Sequence, residues 1–284
     1  MRLAVSNFIH PTTNQMGSKT SKAKCPTPMK AKTIVVPRIP QEIIDEVLNY
    51  LTTEPGLKSL QSCALVSKSW VRPCRRYIFH TILFTLWSMT RWLETFPVPE
   101  ESPAYHVKDL RFLFGWSIDA PRGFSEHTPW FTNVEKMTLS GHTDALLSWI
   151  PSLGKLPRSV TSLAINVPMV SLARVRDVLV QLPNLDSLSL SGSLITVAGD
   201  ALQGMGTAIG GRFGGRLRLV NGYADKDVMN MLLEVPTGLH FAEVHIRGTH
   251  ESFLSTVRLA EACGKTLTKL SYVSSIRGES HLFS

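Results

Sequence analysis

Acidic residues are missing from the first 38 positions, which hold Arg2, Lys19, Lys22, Lys24, Lys30, Lys32 and Arg38. The chain of 284 residues carries a net charge of +8, so only +1 is left for everything after that stretch. A nearly neutral body excludes a protein that grips nucleic acid over its folded surface. The first stretch is also rich in Ser, Thr and Pro and poor in large apolar residues, a composition expected to be disordered. Three readings of this tail stay open: a solvated extension, a nuclear signal, or an organelle transit peptide. The excess of Lys over Arg and the lack of an amphipathic helix weigh against the last.

Long apolar runs are absent too. No stretch of 18 apolar residues occurs, so no spanning helix and no membrane partner are expected. The four cysteines, Cys25, Cys63, Cys74 and Cys263, are scattered without CxxC spacing. Together with the absence of a secretory apolar core, this points to free thiols in a reducing compartment, the cytoplasm or the nucleus. Hydrophobic content of 43% and charged content of 18% suit a folded protein, and the length leaves room for one large domain or two.

Motifs of catalysis and ligation are equally scarce. Gly204, Gly206, Gly210, Gly211, Gly214 and Gly215 crowd one segment, but it lacks the Lys-Ser/Thr end of a phosphate loop and the third glycine of a dinucleotide turn. A flexible connection is the expectation there. Nine histidines include no HExxH pair, and His240 and His245 flank a predicted strand as surface residues. No GxSxG elbow occurs. Glu100 and Glu101 are adjacent on a Pro-rich stretch and cannot face each other as acid and base. No cofactor, metal or enzymatic activity is expected; a hydrolase or transferase with an unrecognised site is the alternative.

What the chain does have begins at Ile39. Pro40 suits a first helical position, and Glu42, Asp45 and Glu46 favour the positive end of a helix. Ile39, Ile43, Ile44, Val47, Leu48 and Leu51 fill an arc of roughly 180°, wider than the ~100° stripe of a one-sided helix. Two burial partners are therefore implied. Pro55-Gly56 breaks the chain, and a second apolar segment follows with Leu57, Leu60, Cys63, Ala64, Leu65, Val66 and Trp70. It closes on a basic end, Arg72, Arg75 and Arg76. A unit near ~40 residues without disulfides or metal rarely stands alone, so its surplus apolar face must dock elsewhere.

These residues resemble an F-box of the type common in mushroom-forming fungi. The resemblance lies in Ile39-Pro40, the helix from Glu42 to Leu51, the run from Ser62 to Trp70, and the Arg75-Arg76-Tyr77-Ile78-Phe79 end. Ile39 stands where Leu is usual. The resemblance implies docking on a Skp-type adaptor and, through it, a cullin. Pro40, Ile43, Ile44, Val47, Leu48, Leu51, Leu65, Val66 and Trp70 are expected to divide between the module's core and the adaptor contact.

Residues 81–106 read as a connector. Thr81 to Leu86 suits a short strand, Trp87 to Phe96 a helix, and Pro97, Pro99 and Pro103 punctuate the rest. From Val107 onward one pattern, apolar-x-x-apolar-x-apolar, returns. Its first positions are Val107, Val134, Val160, Leu185, Gly214, Phe241 and Leu267, in steps of 27, 26, 25, 29, 27 and 26. Helical stretches are expected between them at Asp144–Ile150, Leu172–Leu182, Asp225–Glu234 and Glu251–Cys263. A steady period of strand plus helix marks a solenoid and is similar to a leucine-rich repeat in an irregular form. The Asn or Cys usual at a repeat's ninth position is missing. Gly115, His142, Pro168, Ser193, Gly222, Thr249 and Ser275 stand there instead.

The expected fold is α/β, a small helical F-box followed by an irregular leucine-rich-repeat-like solenoid with a parallel sheet. Its divisions are a disordered basic tail (1–36), the F-box (37–80), the connector (81–106) and the solenoid (107–284). On the strands, Arg111, Thr138, Ala164, Ser189, Arg218, His245 and Ser271 should form one outward row. Arg216, Arg218, His245 and Arg247 should then make a cationic patch for an acidic or phosphorylated segment of a protein target. The function implied by the two resemblances is the substrate-recognition adaptor of an SCF-type ubiquitin ligase. A scaffold of the same parts acting without a cullin is a further alternative. Only eleven residues follow Val273, too few for another helix, so the last strand is expected to be an open edge. The readings there are a minimal lid of His281-Leu282-Phe283, a covering partner, or, as favoured, a shortened version of a longer solenoid that self-associates or frays.

Overall fold

The computed structural model describes residues 39–53, 57–114, 123–142, 158–195, 205–210, 212–221, 226–248 and 252–274. The chain divides into two compact units, residues 1–39 and 40–284. Ile39 is the described part of the first, and its side chain is exposed. Everything below concerns the second. The three-helix segment and the strands that follow it belong to that one body. The expected helix at Asp144–Ile150 and the expected lid lie outside the described residues.

Three helices come first, α1 (Gln41–Thr53), α2 (Leu57–Val66) and α3 (Lys68–Ile78). They are followed by eight strands, β1 (Thr81–Phe84), β2 (Asp109–Phe114), β3 (Lys136–Gly141), β4 (Ser162–Ser171), β5 (Ser187–Ile195), β6 (Arg216–Asn221), β7 (Glu243–Gly248) and β8 (Lys269–Ser274). All are parallel and belong to one sheet whose spatial order is the chain order. Parallel neighbours need a crossover, which several helices supply. These are α4 (Leu86–Thr95), α5 (Phe124–His127), α6 (Leu172–Val180), α7 (Lys226–Leu233) and α8 (Phe253–Cys263). The helix α4 starts on a capping box. Thr85 Oγ1 accepts from the Ser88 amide at 3.2 Å, and the Thr85 amide donates back to Ser88 Oγ at 2.7 Å.

Residues 81–106 are more than a connector. They contribute the first strand, whose Phe84 pairs in register with Phe112, and a helix that enters the core through Met89 and Trp92. The signal was in the sequence, since alternation at Thr81–Phe84 and the 3–4 spacing of α4 match the later units.

Alternation along each strand sorts residues between two faces. The inward pairs Leu110/Phe112, Met137/Leu139, Leu163/Ile165, Leu188/Leu190, Leu217/Leu219 and Val244/Ile246 are all at most 1% exposed. They line one continuous core with the helices. The residues between them point to an open face, which is unusual for parallel strands, commonly covered on both sides. Aromatic rings fill the β1 end of the core. Phe84 lies 5.4 Å from Trp92, 5.9 Å from Phe112, 5.0 Å from Phe124 and 6.0 Å from Phe131, centroid to centroid.

Stacking is set at the strand entries. The His80 carbonyl accepts the amides of Lys108 and Asp109, that of Lys108 the amides of Glu135 and Lys136, and that of Glu135 the amides of Thr161 and Ser162. The same forked arrangement returns at Thr161, Gly215 and Ala242. Side chains reinforce it from one unit to the one before. Asn133 Nδ2 donates to the Tyr105 carbonyl and Asn184 Nδ2 to the Arg158 carbonyl, both at 2.6 Å, and Ser159 Oγ donates to the Val134 carbonyl at 2.8 Å.

The entry to β6 departs from this. Gly214 was expected to hold the first apolar position, and Phe213 holds it instead, fully buried 5.3 Å from Phe241. The extra residue is absorbed by Asp186 and Ser187. Asp186 Oδ1 accepts the Gly214 amide at 2.8 Å, and Ser187 Oγ accepts the Arg216 amide at 3.0 Å. A Cβ on Gly215 would meet Asp186 Oδ2 and Ser187 Oγ, so both side chains would have to swing out of their hydrogen bonds to admit one. Phe213 has φ +42°, a sparsely populated region for a bulky residue, and its burial holds it there. Pro168 leaves its own mark. The β4–β5 register shifts between Val167 and Met169, where proline has no amide to donate.

At the far side of the sheet, β8 is packed differently. Leu270 occupies the inward position aligned with Val244 yet is 48% exposed, and Val273 is 45% exposed. Tyr272 is half-buried against Phe253, 5.4 Å away.

Replacing Phe84 by Ala should destabilise the protein by about 3–5 kcal/mol in urea unfolding, since a ring with four aromatic neighbours leaves a cavity. Leu113→Ala, on the open face of the adjacent strand, should cost less than about 0.5 kcal/mol.

Candidate functional site

Two surfaces are shaped by the sequence patterns singled out above. The first is the three-helix segment. Glu42 lies in the first turn of α1, and Ile44 and Leu48, four apart, are 3% and 0% exposed. Leu60 and Ala64 meet them from α2, and Cys74 and Ile78 from α3. Ser67 caps α3, its hydroxyl accepting from the Ser69 amide at 3.2 Å. Leu51 and Trp70 pack partly buried on this small core. Burial pushes the Cys74 thiol up to about 11, with Cys63 adding to the effect, so this thiol stays protonated at neutral pH. Cys63, Cys74 and Cys263 are free thiols.

The remaining apolar residues of the segment face outward. Ile43 is 49% exposed, Val47 39%, Leu65 79% and Val66 71%, and Pro40 is exposed as well. Of the nine residues expected to divide between the module's core and an adaptor contact, Ile44 and Leu48 are buried in the core, and Leu51 and Trp70 are partly buried on it. The 100° projection shows an arc but cannot say which edge of it meets α2 and α3.

The second surface is the open face of the sheet. The expected row holds residue by residue, Arg111 opposite Thr138, then Ala164, Ser189, Arg218, His245 and Ser271. The charges on it differ from the expectation. Arg216 is opposite Glu243, and its Nε donates to Glu243 Oε2 at 2.7 Å. That hydrogen bond holds the Glu243 carboxyl below its usual range and raises the Arg216 guanidinium. Arg216 is therefore a neutralised member of the patch. Arg218 lies opposite His245, and Arg247 one step further on, opposite Val220. No ion pair engages Arg218 or Arg247 among the described residues. Glu243 was legible, two residues before His245 on the same strand face. Arg111 is likewise closed by Asp109, with Nη2 and Nε donating to Oδ2 at 2.6 and 3.1 Å. Between the two sides lies a floor of short residues, Ser162, Ala164, Ser187 and Ser189 among them.

Between helices and sheet, the turn Pro103–His106 packs against α3. Its Ala104 is fully buried, and His106 Nε2 is buried without a hydrogen-bond partner among the described residues. Burial, then the charges of Arg76, Arg75 and Arg72, bring the His106 imidazole down from 6.5 to about 4. The sequence marked the basic end of α3 but gave no sign that a histidine thirty residues later sits beside it.

No helix among the described residues is long and apolar enough to cross a membrane. No group of three or more His, Cys, Asp or Glu placed to hold a metal ion occurs among them either. Comparison with protein-family models and with curated proteins finds no match.

The depressed imidazole has a measurable consequence. Between pH 6.5 and about 4 the unfolded chain holds a proton that folded His106 does not. Stability is complete above that window and falls as the pH drops through it. His127, lowered mainly by burial, acts in the same direction. In denaturation curves taken across this range, His106→Gln should shrink the acid-side loss and leave the part due to His127.

Proposed function

We propose that the chain is the substrate-recognition adaptor of an SCF-type ubiquitin ligase. In this reading the three-helix segment is an F-box that binds a Skp-type adaptor and, through it, a cullin. The strand-and-helix units are an irregular leucine-rich-repeat-like solenoid that holds a protein target. The chain performs no chemistry itself and works in the cytoplasm or the nucleus.

The observation that carries the reading is the division of burial along α1. Ile44 and Leu48 complete the module's own core, while Ile43 and Val47 on the same helix stay in solvent. Leu65 and Val66 do so at the end of α2. Burying a side chain of this size is worth about 1.5–3 kcal/mol, a gain the folded chain leaves unused and an adaptor would collect. Four such residues provide enough to offset part of the cost of association. The surface for the target is the open sheet face, where Arg218, His245 and Arg247 offer donors to an acidic or phosphorylated segment.

Pull-down from cells with the full chain as bait tests the first half. Ile43→Asp with Val47→Asp should abolish recovery of the adaptor and cullin while the unfolding midpoint stays close to that of the parent chain. The alternative pair, Ile44→Asp with Leu48→Asp, buries two carboxylates and should unfold the helices, so it is not informative about docking. Undiminished recovery by the first pair would sink the assignment.

The second half is tested by the set of other proteins recovered. Charge reversal at Arg218 and Arg247 should remove members of that set without affecting the adaptor, and charge reversal at Arg216, already paired with Glu243, should do far less. An unchanged set in the Arg218/Arg247 variant would mean that this face is idle.

A further inference from the structure

Residues 57–80 contain Lys58, Lys68, Arg72, Arg75 and Arg76 and not one Asp or Glu. Four of these cations share α3. At 100° per residue Lys68, Arg72, Arg75 and Arg76 fall within an arc of about 100°, and they span about 12 Å of the helix axis. All four are exposed, and none forms an ion pair among the described residues. The opposite side of the helix is anchored through buried Pro73, Cys74 and Ile78. The charged face is thus held in place, and no ion pair among the described residues neutralises it. Like charges four apart oppose helix formation, so folding alone gives no reason for the row.

The neighbouring turn supplies a second, independent sign. His106 lies near enough to feel Arg76, Arg75 and Arg72 together, and its buried Nε2 has no partner. Tyr105, 44% exposed, places its ring 4.0 Å from that imidazole. The turn that carries both rings packs against α3, so Tyr105 and His106 lie beside the helix that bears the row.

We propose that this face of α3 docks an acidic segment of a partner protein, with carboxylates along Lys68, Arg72, Arg75 and Arg76 and the segment's end against Tyr105 and His106. A row of about 12 Å matches some four residues of extended chain, too long for a single phosphate. Nucleic acid and membrane fit less well, because both present broad anionic surfaces. The helix α1, packed on α3, carries Glu42, Asp45 and Glu46, so a surface broad enough to extend over it meets carboxylates, whereas a segment confined to the row meets the cations. The site is separate from the exposed apolar residues of α1 and from the sheet face, and it stands whether or not the helical segment binds a Skp-type adaptor.

Fluorescence polarisation with the full chain and a labelled oligoglutamate peptide tests the proposal. Binding should saturate and weaken with added salt. It should be at least about tenfold weaker in Arg72→Glu with Arg75→Glu and unchanged in Arg218→Glu with Arg247→Glu. The basic tail contributes equally to every variant, so the comparison isolates the helix face. If the reversed variant fails to fold, Arg72→Gln with Arg75→Gln is expected to lose at least about threefold. In the parent chain the His106 imidazole resonances should move as the peptide saturates. Parent-like affinity in a folded α3 variant, or an unmoved His106 at saturation, would overturn the proposal. So would a loss confined to single-stranded RNA or to phosphatidylserine vesicles offered in place of the peptide.

Discussion

One carbonyl at each strand entry sets the geometry of this protein. It accepts two successive amides from the next unit, and so fixes where that unit's strand begins relative to its own. Once the entry is fixed, the register of the whole strand follows, because parallel neighbours repeat one hydrogen-bond step per pair of residues. The chain must then leave the strand, cross the core side and return about 5 Å further along the sheet. That closed path has a nearly constant contour length, and the regular spacing in the sequence is its trace. Where one residue too many is present, before β6, the fork moves back to the Leu185 carbonyl, which accepts the amides of Arg212 and Phe213, and the carboxylate of Asp186 and the hydroxyl of Ser187 take up the amides of Gly214 and Arg216.

Much of this was legible because it depends on alternation, a property of single strands. The outward row from Arg111 to Ser271 and the inward pairs from Leu110/Phe112 onward follow from period two alone. The misreading at Gly214 arose where a motif of fixed spacing met a unit with an inserted residue, and Phe213 took the apolar place one step earlier. The strand and helix within residues 81–106 were legible as elements, but the prolines after them mark turns and do not say whether that strand joins the sheet. Burial within α1 was not legible. An arc of roughly 180° is shared by core and solvent, and only the positions of α2 and α3 decide that Ile44 is inside and Ile43 outside.

Electrostatics followed a similar division. Counting charges over a segment located the basic end of α3, since residues 57–80 hold no acid. On the sheet the count misled, because a cation meets a carboxylate on its own strand or on the next one. Arg216 finds Glu243 across the strand gap, and Arg111 finds Asp109 two residues back. Both guanidinium groups are more than half exposed, and pairs so open to solvent contribute little to stability. Their effect is on recognition, since they cancel charge that an isolated strand would display. Among the described residues no ion pair engages Arg218 or Arg247 on the sheet, or the row on α3.

Phe79 belongs to two cores at once. It packs partly buried on the Ile44–Leu48 cluster and also on the sheet cluster, with its ring 6.2 Å from Trp92 and 6.4 Å from Phe96. A ring shared in this way couples the melting of one cluster to that of the other, because loosening either removes neighbours from the same side chain. The three helices are too small a unit to hold themselves together well, and through Phe79 they draw on the cohesion of a sheet several times their size. The same ring resists hinge bending between helices and strands, so a ligand held at one end of the body has a fixed bearing toward anything held at the other.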